Sequence, residues 1–145
     1  LGPHLQTANC LDLFAGSGAL GIEALSRGAA HCDFVDADRE AITAVGRHLN
    51  TLDATQCSTV SCDMAEHYLR QTHGTWDIVF VDPPFDARLG ESSLTQLAHS
   101  GRLAEASRVY FETSRSQPEP IPAGLYDVLR EKTTGDVCYR LLSPR

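Results

Sequence analysis

The sequence predicts a doubly wound α/β fold, in which a mostly parallel sheet carries helices on both faces and ends in an antiparallel hairpin. Short apolar runs alternate with amphipathic segments of helical length along most of the 145 residues. A glycine-rich loop joins the first apolar run to the first of these segments, and a Gly-Asp pair separates the last two extended runs. No internal repeat interrupts this order, so a single domain is expected over residues 1–145.

Five apolar runs have the length and composition of buried parallel strands. They are expected at 9–14, 31–36, 58–62, 76–82 and 107–112. Between them, helices are expected at 18–27, 39–49, 64–71 and 91–99. Two extended runs at the end, 125–131 and 137–142, flank Gly135-Asp136, a pair that is typical of a tight turn. These two runs are therefore expected to form the antiparallel hairpin.

The composition argues against several classes of protein. No apolar stretch reaches 18 residues, so no membrane span is expected. The five cysteines form no C-x-x-C pair, which favours a reducing, cytoplasmic location, and Cys10, Cys32 and Cys62 are expected to be small buried residues. The six histidines are scattered, so no metal site is expected. A net charge of −7 argues against a large phosphate-binding surface on this chain.

The loop after the first strand has the pattern Gly16-x-Gly18-x-x-Gly21. Gly16 permits a tight turn, Gly18 lets a ligand approach the backbone, and Gly21 lets helix and strand pack closely. Asp36 lies 20 residues after Gly16, at the end of the second strand, where its carboxylate can accept hydrogen bonds from both ribose hydroxyls. The pattern predicts a cofactor that contains adenosine, and both NAD and S-adenosylmethionine (SAM) satisfy it. A Walker loop is excluded because no Gly-Lys-Ser/Thr follows.

The fourth strand runs directly into Asp82-Pro83-Pro84-Phe85. In a doubly wound sheet the switch point lies between strands one and four, so Asp82 is expected to face the glycine loop. The prolines fix their φ angles and carry no N–H, which makes the Asp82 carboxylate and the Pro83 carbonyl a rigid pair of acceptors. Two acceptors match the two N–H donors of an exocyclic base amine, and Phe85 can stack on the base. An ordinary carboxylate would be a weak base for that amine at pH 7.

These motifs carry a resemblance to a known family. Residues 82–85 resemble the (D/N/S)-P-P-(Y/F/W) motif of amino-methyltransferases that act on nucleic-acid bases. Residues 11–29 are similar, nearly residue for residue, to the cofactor motif of the RsmD-type guanine-N2 methyltransferases of small-subunit rRNA. The similarity continues through residues 36–39, 109–112 and 131–142, and it covers the chain from about residue 9 to the end.

The resemblance implies a seven-stranded, Rossmann-like methyltransferase sheet, with SAM as methyl donor and N2 of one 16S rRNA guanine as acceptor. By position, Gly16 and Gly18 would line the amino-acid part of SAM, Asp36 would hold the ribose, and Asp63 would meet the adenine amine. The remaining candidate cofactor residues are Asp12, Phe14, Ala37 and Met64. Asp82, Pro83, Pro84 and Phe85 would form the catalytic site for an unpaired or flipped base. A monomer is expected, acting on free rRNA or on an assembled particle.

Two departures from the family keep alternatives open. Family members usually begin with a basic segment and a helix before the first strand, whereas only eight residues precede it here, so an N-terminal segment is expected to be missing. After the P-P-F, Arg88 is the only nearby phosphate candidate. An NAD-dependent oxidoreductase would share the glycines and Asp36, but it gives no reason for the D-P-P-F. A non-catalytic module that binds RNA or a partner protein is the third alternative.

Overall fold

A computed structural model describes residues 2–71, 74–84 and 88–145. Within these residues the strands are β1 Asn9–Asp12, β2 His31–Asp36, β3 Ser58–Cys62, β4 Trp76–Val81, β5 Leu103–Ser114, β6 Tyr126–Thr134 and β7 Val137–Pro144. The helices are α1 Ala19–Ser26, α2 Arg39–Thr51, α3 Ala65–Gln71 and α4 Gly90–His99. Two short 3-10 turns, Gly2–Leu5 and Thr55–Cys57, were not predicted.

The strands form one seven-stranded sheet in the order β3-β2-β1-β4-β5-β7-β6. The pairs among β1 to β5 are parallel, and β7 is antiparallel to both β5 and β6. The chain reverses its direction of winding between β1 and β4, which are neighbours in the sheet. The predicted doubly wound, mostly parallel fold with a C-terminal hairpin is therefore confirmed.

Strand β5 is longer than the apolar pattern predicts, because it begins at Leu103 and continues to Ser114. Its second half pairs with β7 from Val109↔Leu142 to Ser114↔Val137. An antiparallel partner supplies hydrogen bonds wherever the register continues, so the strand does not stop where the apolar residues stop. Strand β6 is likewise longer than predicted, and its exposed, charged residues are typical of a protected sheet edge.

Helices cover the sheet on both faces. On one face, Leu94 and Leu97 of α4 pack with Val79 of β4 and Phe111 of β5. On the other face, α1 and α2 pack against a cluster that contains Cys10, Cys32, Phe34 and Phe80. The prediction that Cys62 is buried is wrong, because it lies exposed at the end of β3, one of the two edge strands of the sheet.

Gly21 of α1 shows why the loop needs its third glycine. A Cβ atom at this position would clash with the ring of Phe34 and lie 2.8 Å from the Cys32 sulfur. Helix and sheet therefore approach at a distance that only glycine permits. No helix among the described residues is long and apolar enough to cross a membrane.

Candidate active site

A cleft of about 460 Å³ opens at the carboxyl ends of the central strands. It lies at the switch point between β1 and β4, where ligands bind in open α/β sheets. The predicted site residues that line the cleft are Phe14, Gly16, Asp36, Ala37, Asp63, Met64, Asp82, Pro83 and Pro84. Residues from loops far apart in the sequence thus meet as the motifs predict.

Three of the sequence's candidates lie elsewhere. Asp12 is buried below the cleft, with 1% of its surface exposed. Gly18 packs towards Val45 of α2, and a Cβ there would lie 3.0 Å from that side chain. Arg88, the phosphate candidate, is exposed and lines a neighbouring hollow beside α4. Phe85 lies outside the described residues.

Asp36 ties the glycine loop to the end of β2. Its Oδ2 accepts a hydrogen bond of 2.8 Å from the Gly16 N–H, and its Oδ1 accepts one of 2.9 Å from the Asp38 N–H. Gly16 has a φ of 56°, in the left-handed region that glycine adopts without strain. Each carboxylate oxygen can accept a second hydrogen bond. Asp36 can therefore fix the loop and hold a pair of hydroxyls at the same time.

The Asp12 side chain lies beneath the glycine loop and caps the N-terminal end of α1. Its Oδ2 accepts a hydrogen bond of 3.0 Å from the Gly21 N–H in the first turn of the helix. The pKa of Asp12 is raised to about 7, chiefly by burial; the Gly21 hydrogen bond opposes the rise, and the charges of nearby Asp82 and Asp36 add to it. In a phosphate-binding loop, an anionic ligand would take this favourable position at the helix terminus. Here a carboxyl of the protein already occupies it.

Asp63 is held by a histidine that the sequence motifs do not single out. Both of its oxygens lie within 2.9 Å of Nδ1 of His67, and its Oδ1 also accepts a hydrogen bond of 2.8 Å from the Met64 N–H. Asp63 and His67 are four residues apart, so they share one face at the start of α3. That spacing is the signal that could have found His67.

Asp82 meets a second carboxyl group, that of Glu112. The register pairs Val81 of β4 with Phe111 of β5, so the next residue on each strand lies side by side with the other. Burial raises the pKa of Asp82 to about 7, and the charge and hydrogen bond of Glu112 contribute to the rise. Asp82 is therefore a far better proton acceptor near neutral pH than an ordinary carboxylate. The expectation of a weak base does not hold for Asp82, chiefly because its carboxyl is buried and secondly because Glu112 lies beside it.

The charge of the cleft discriminates between the two cofactor classes. Asp36, Asp63, Asp82 and Glu112 all line it, and none of its described lining residues is a lysine or an arginine. A pyrophosphate would meet like charge here, whereas a sulfonium or ammonium group would meet opposite charge. The acidic lining of the cleft fits SAM, which combines an adenosine with a positive sulfur.

The strand order, the antiparallel β7 inserted between β5 and β6, and the acidic switch-point cleft together define a Rossmann-like methyltransferase domain. A family model described as "Conserved hypothetical protein 95" matches residues 1–143. The "Ribosomal RNA small subunit methyltransferase D" of Escherichia coli K12 is 40% identical over 141 residues, which cover 97% of this chain and 71% of the relative. The protein of the same name from Haemophilus influenzae is 37% identical over 145 residues, covering 96% and 73%.

A solved structure supports the same assignment as the sequence relatives. The Escherichia coli protein yhhF superposes with a TM-score of 0.87 at 38% identity, over 99% of this chain and 78% of that protein. The chain belongs to the family of the ribosomal RNA small subunit methyltransferase D proteins.

Proposed function

We propose that this chain transfers a methyl group from SAM to the exocyclic N2 amine of a guanine in small-subunit rRNA. The observation that carries the proposal is the placement of Asp82 and Pro83 at the rim of the acidic, switch-point cleft. The names of the family relatives support rRNA as the substrate class. Guanine N2 follows from the resemblance of the cofactor loop and the hairpin to the RsmD-type enzymes.

Different residues of the cleft bind different parts of the cofactor. Asp36 accepts hydrogen bonds from the ribose hydroxyls, and Asp63, oriented by His67, accepts one from the adenine amine. Gly16 borders the amino-acid part, and the apolar sides of the adenine pocket are Phe14, Ala37 and Met64. Asp12 and Gly18 support the site indirectly. They fix the start of α1 and the curvature of the glycine loop. When bound, SAM supplies a methyl group made electrophilic by its positive sulfur.

The acceptor amine is held by the end of β4. Asp82 and the Pro83 carbonyl accept its two N–H hydrogen bonds, and Phe85 stacks on the base. These bonds favour a nitrogen lone pair that is less conjugated with the ring and aim it at the methyl group. Such contacts require an unpaired or flipped guanine, because a paired amine offers only one free N–H.

The test separates cofactor binding from transfer. We expect Asp82→Ala to retain SAM binding in a calorimetric titration, weakened only by the lost attraction between this carboxyl and the sulfonium, and to lose transfer of labelled methyl to unmodified 16S rRNA. Asp127→Ala is the matched control, because Asp127 is an exposed acid of β6 that pairs with Arg145. Full activity of Asp82→Ala would refute the assigned role. Binding of NADH without SAM would refute the methyltransferase function itself.

Two finer points belong to the same proposal. We infer a monomer in the cytosol, testable by light scattering of the purified protein and by fractionation of cells. Free 16S rRNA and assembled small subunits, offered side by side in the transfer assay, will show which of the two is the substrate.

A further inference from the structure

The carboxyl pair at the end of β4 and β5 explains how the site can dispose of a proton. Glu112 lies beside Asp82 on the neighbouring strand, and both side chains line the cleft. The Tyr110 hydroxyl donates a hydrogen bond of 3.2 Å to Oε1 of Glu112. Because Tyr110 and Glu112 are two residues apart on one strand, their side chains emerge on the same face of the sheet. The result is a continuous chain from Tyr110 through Glu112 to Asp82.

We propose that Asp82 and Glu112 work as one acid–base unit, in which Glu112 is the positioning residue that enables Asp82 to take the proton of the methylated amine. This inference rests on the proposed function and adds the proton acceptor to it. The N2–CH3 bond forms as the S–CH3 bond breaks, and the sulfur keeps the electron pair of the broken bond. The amine nitrogen, now positive, gives one proton to Asp82. That proton is then shared with Glu112 and leaves to water.

The surroundings of the pair favour this role. The other titratable groups from the neighbouring strands are Asp12 of β1, Asp36 of β2, Tyr110 of β5 and Tyr139 of β7. Two of them are acids, which make a doubly ionised pair more basic. Burial and Glu112 raise the pKa of Tyr110, so its hydroxyl keeps its proton and remains a donor to Glu112. The ring of Tyr110 is fixed edge-on to Phe80, with centroids 6.0 Å apart.

Two substitutions should move the titration of the pair in opposite directions. Glu112→Gln keeps the shape but removes the neighbouring charge, and its amide can donate to ionised Asp82, so the midpoint for Asp82 falls. Tyr110→Phe removes a hydrogen bond that draws charge away from the Glu112 carboxyl, so Glu112 repels ionised Asp82 more strongly and the Asp82 midpoint rises. A change that only loosened the structure would not produce shifts of opposite sign. Glu105→Gln, an exposed position on β5, is the matched control.

The closing experiment is a ¹³C NMR pH titration of the aspartate carboxyl groups, with the Asp82 signal assigned by its loss in Asp82→Asn. We expect a midpoint near pH 7 in the parent protein and in Glu105→Gln, a fall of at least one pH unit in Glu112→Gln, and a rise in Tyr110→Phe. The acid limb of the methyl-transfer rate should move by the same amounts. Equal midpoints in the parent and in Glu112→Gln would overturn the inference. Because the titration needs neither RNA nor SAM, its result is independent of whether the proposed function is correct.

Discussion

The buried carboxyl of Asp12 should make the protein less stable as the pH rises from 4 to 7, and Asp12→Asn should remove that loss. Burial raises the pKa of Asp12 from 3.8 to about 7, so the folded state holds a proton over this range that the unfolded chain has released. Stability falls with pH wherever the folded state binds more protons. The penalty is absent below about pH 4, grows to pH 7 and is constant above it.

The size of the effect follows from the two pKa values. Between pH 5 and pH 8, a shift from 3.8 to about 7 corresponds to a loss of about 3 kcal/mol in the free energy of unfolding. This is a ceiling, because Asp12 shares the titration with nearby Asp82. Asparagine keeps an acceptor for the Gly21 N–H, although its new N–H groups cost about 1–3 kcal/mol at every pH if they remain unpaired.

The assay is urea unfolding of the parent protein and of Asp12→Asn at pH 5 and pH 8. The quantity to compare is the difference between the two proteins at each pH, since the contributions of titrating groups that do not interact with Asp12 cancel. We expect Asp12→Asn to gain about 1–3 kcal/mol relative to the parent on going from pH 5 to pH 8. An unchanged difference would show that Asp12 is ionised in the folded protein throughout this range, and the argument from its burial would fail.

Asp36 and two glycines give further expected outcomes. Asp36→Ala should weaken SAM binding by about 1–3 kcal/mol in calorimetry, because the ribose hydroxyls and the Gly16 N–H lose their acceptor, while Asp36→Asn should lose less; unchanged affinity in both would place the ribose elsewhere. Gly21→Ala should destabilise the fold by about 1–3 kcal/mol, since its Cβ would clash with the ring of Phe34. Gly46→Ala, in α2, meets nothing within 4 Å and should stabilise it by about 0.5–1 kcal/mol. Equal melting temperatures for the two glycine variants would contradict this packing argument.

The sequence predicts the parts of the site that depend on strand ends alone. Asp36, Asp63 and Asp82 each lie at or just after the end of an apolar run, and a parallel sheet brings such ends to one edge. Glu112 could not be assigned in this way, because its role depends on the register between β4 and β5. Nothing in a single strand's pattern reveals the neighbour of that strand or the offset between them.

The absence of cross-strand information in the sequence pattern also explains the other differences between the predicted and observed structure. The extra length of β6 and the extension of β5 to Ser114 come from pairing with β7, which is a property of the hairpin and not of either run. The early start of β5 comes from pairing of Leu103 with Trp76 of β4 across a register shift. The sequence places Asp12 beside the glycine loop, but only the packing of α1 shows that its side chain is turned beneath the loop and buried. Local pattern thus predicts which elements exist, and the cross-strand contacts decide what their polar residues do.

The crowding of carboxyl groups leads to a last prediction about the cofactor. A loop of this glycine pattern could offer its N–H groups to a phosphate, but here Gly16 donates to Asp36, Gly18 to the Ala15 carbonyl and Gly21 to Asp12. Repulsion among the acids is part of the reason that Asp12 and Asp82 both titrate near pH 7. A positive ligand in the cleft stabilises their ionised forms, so its binding must release protons.

The effect of the sulfonium charge on binding can be measured separately, because S-adenosylhomocysteine differs from SAM by one methyl group and lacks that charge. We expect SAM binding at pH 7 to release up to about one proton, because two groups are each about half protonated there. The release is measured by calorimetry in buffers of different ionisation enthalpy. Affinity for SAM should rise from pH 6 to pH 8 more steeply than affinity for S-adenosylhomocysteine. Equal proton release by the two ligands would show that the sulfonium lies away from these carboxyls, and the acidic lining would then need another explanation.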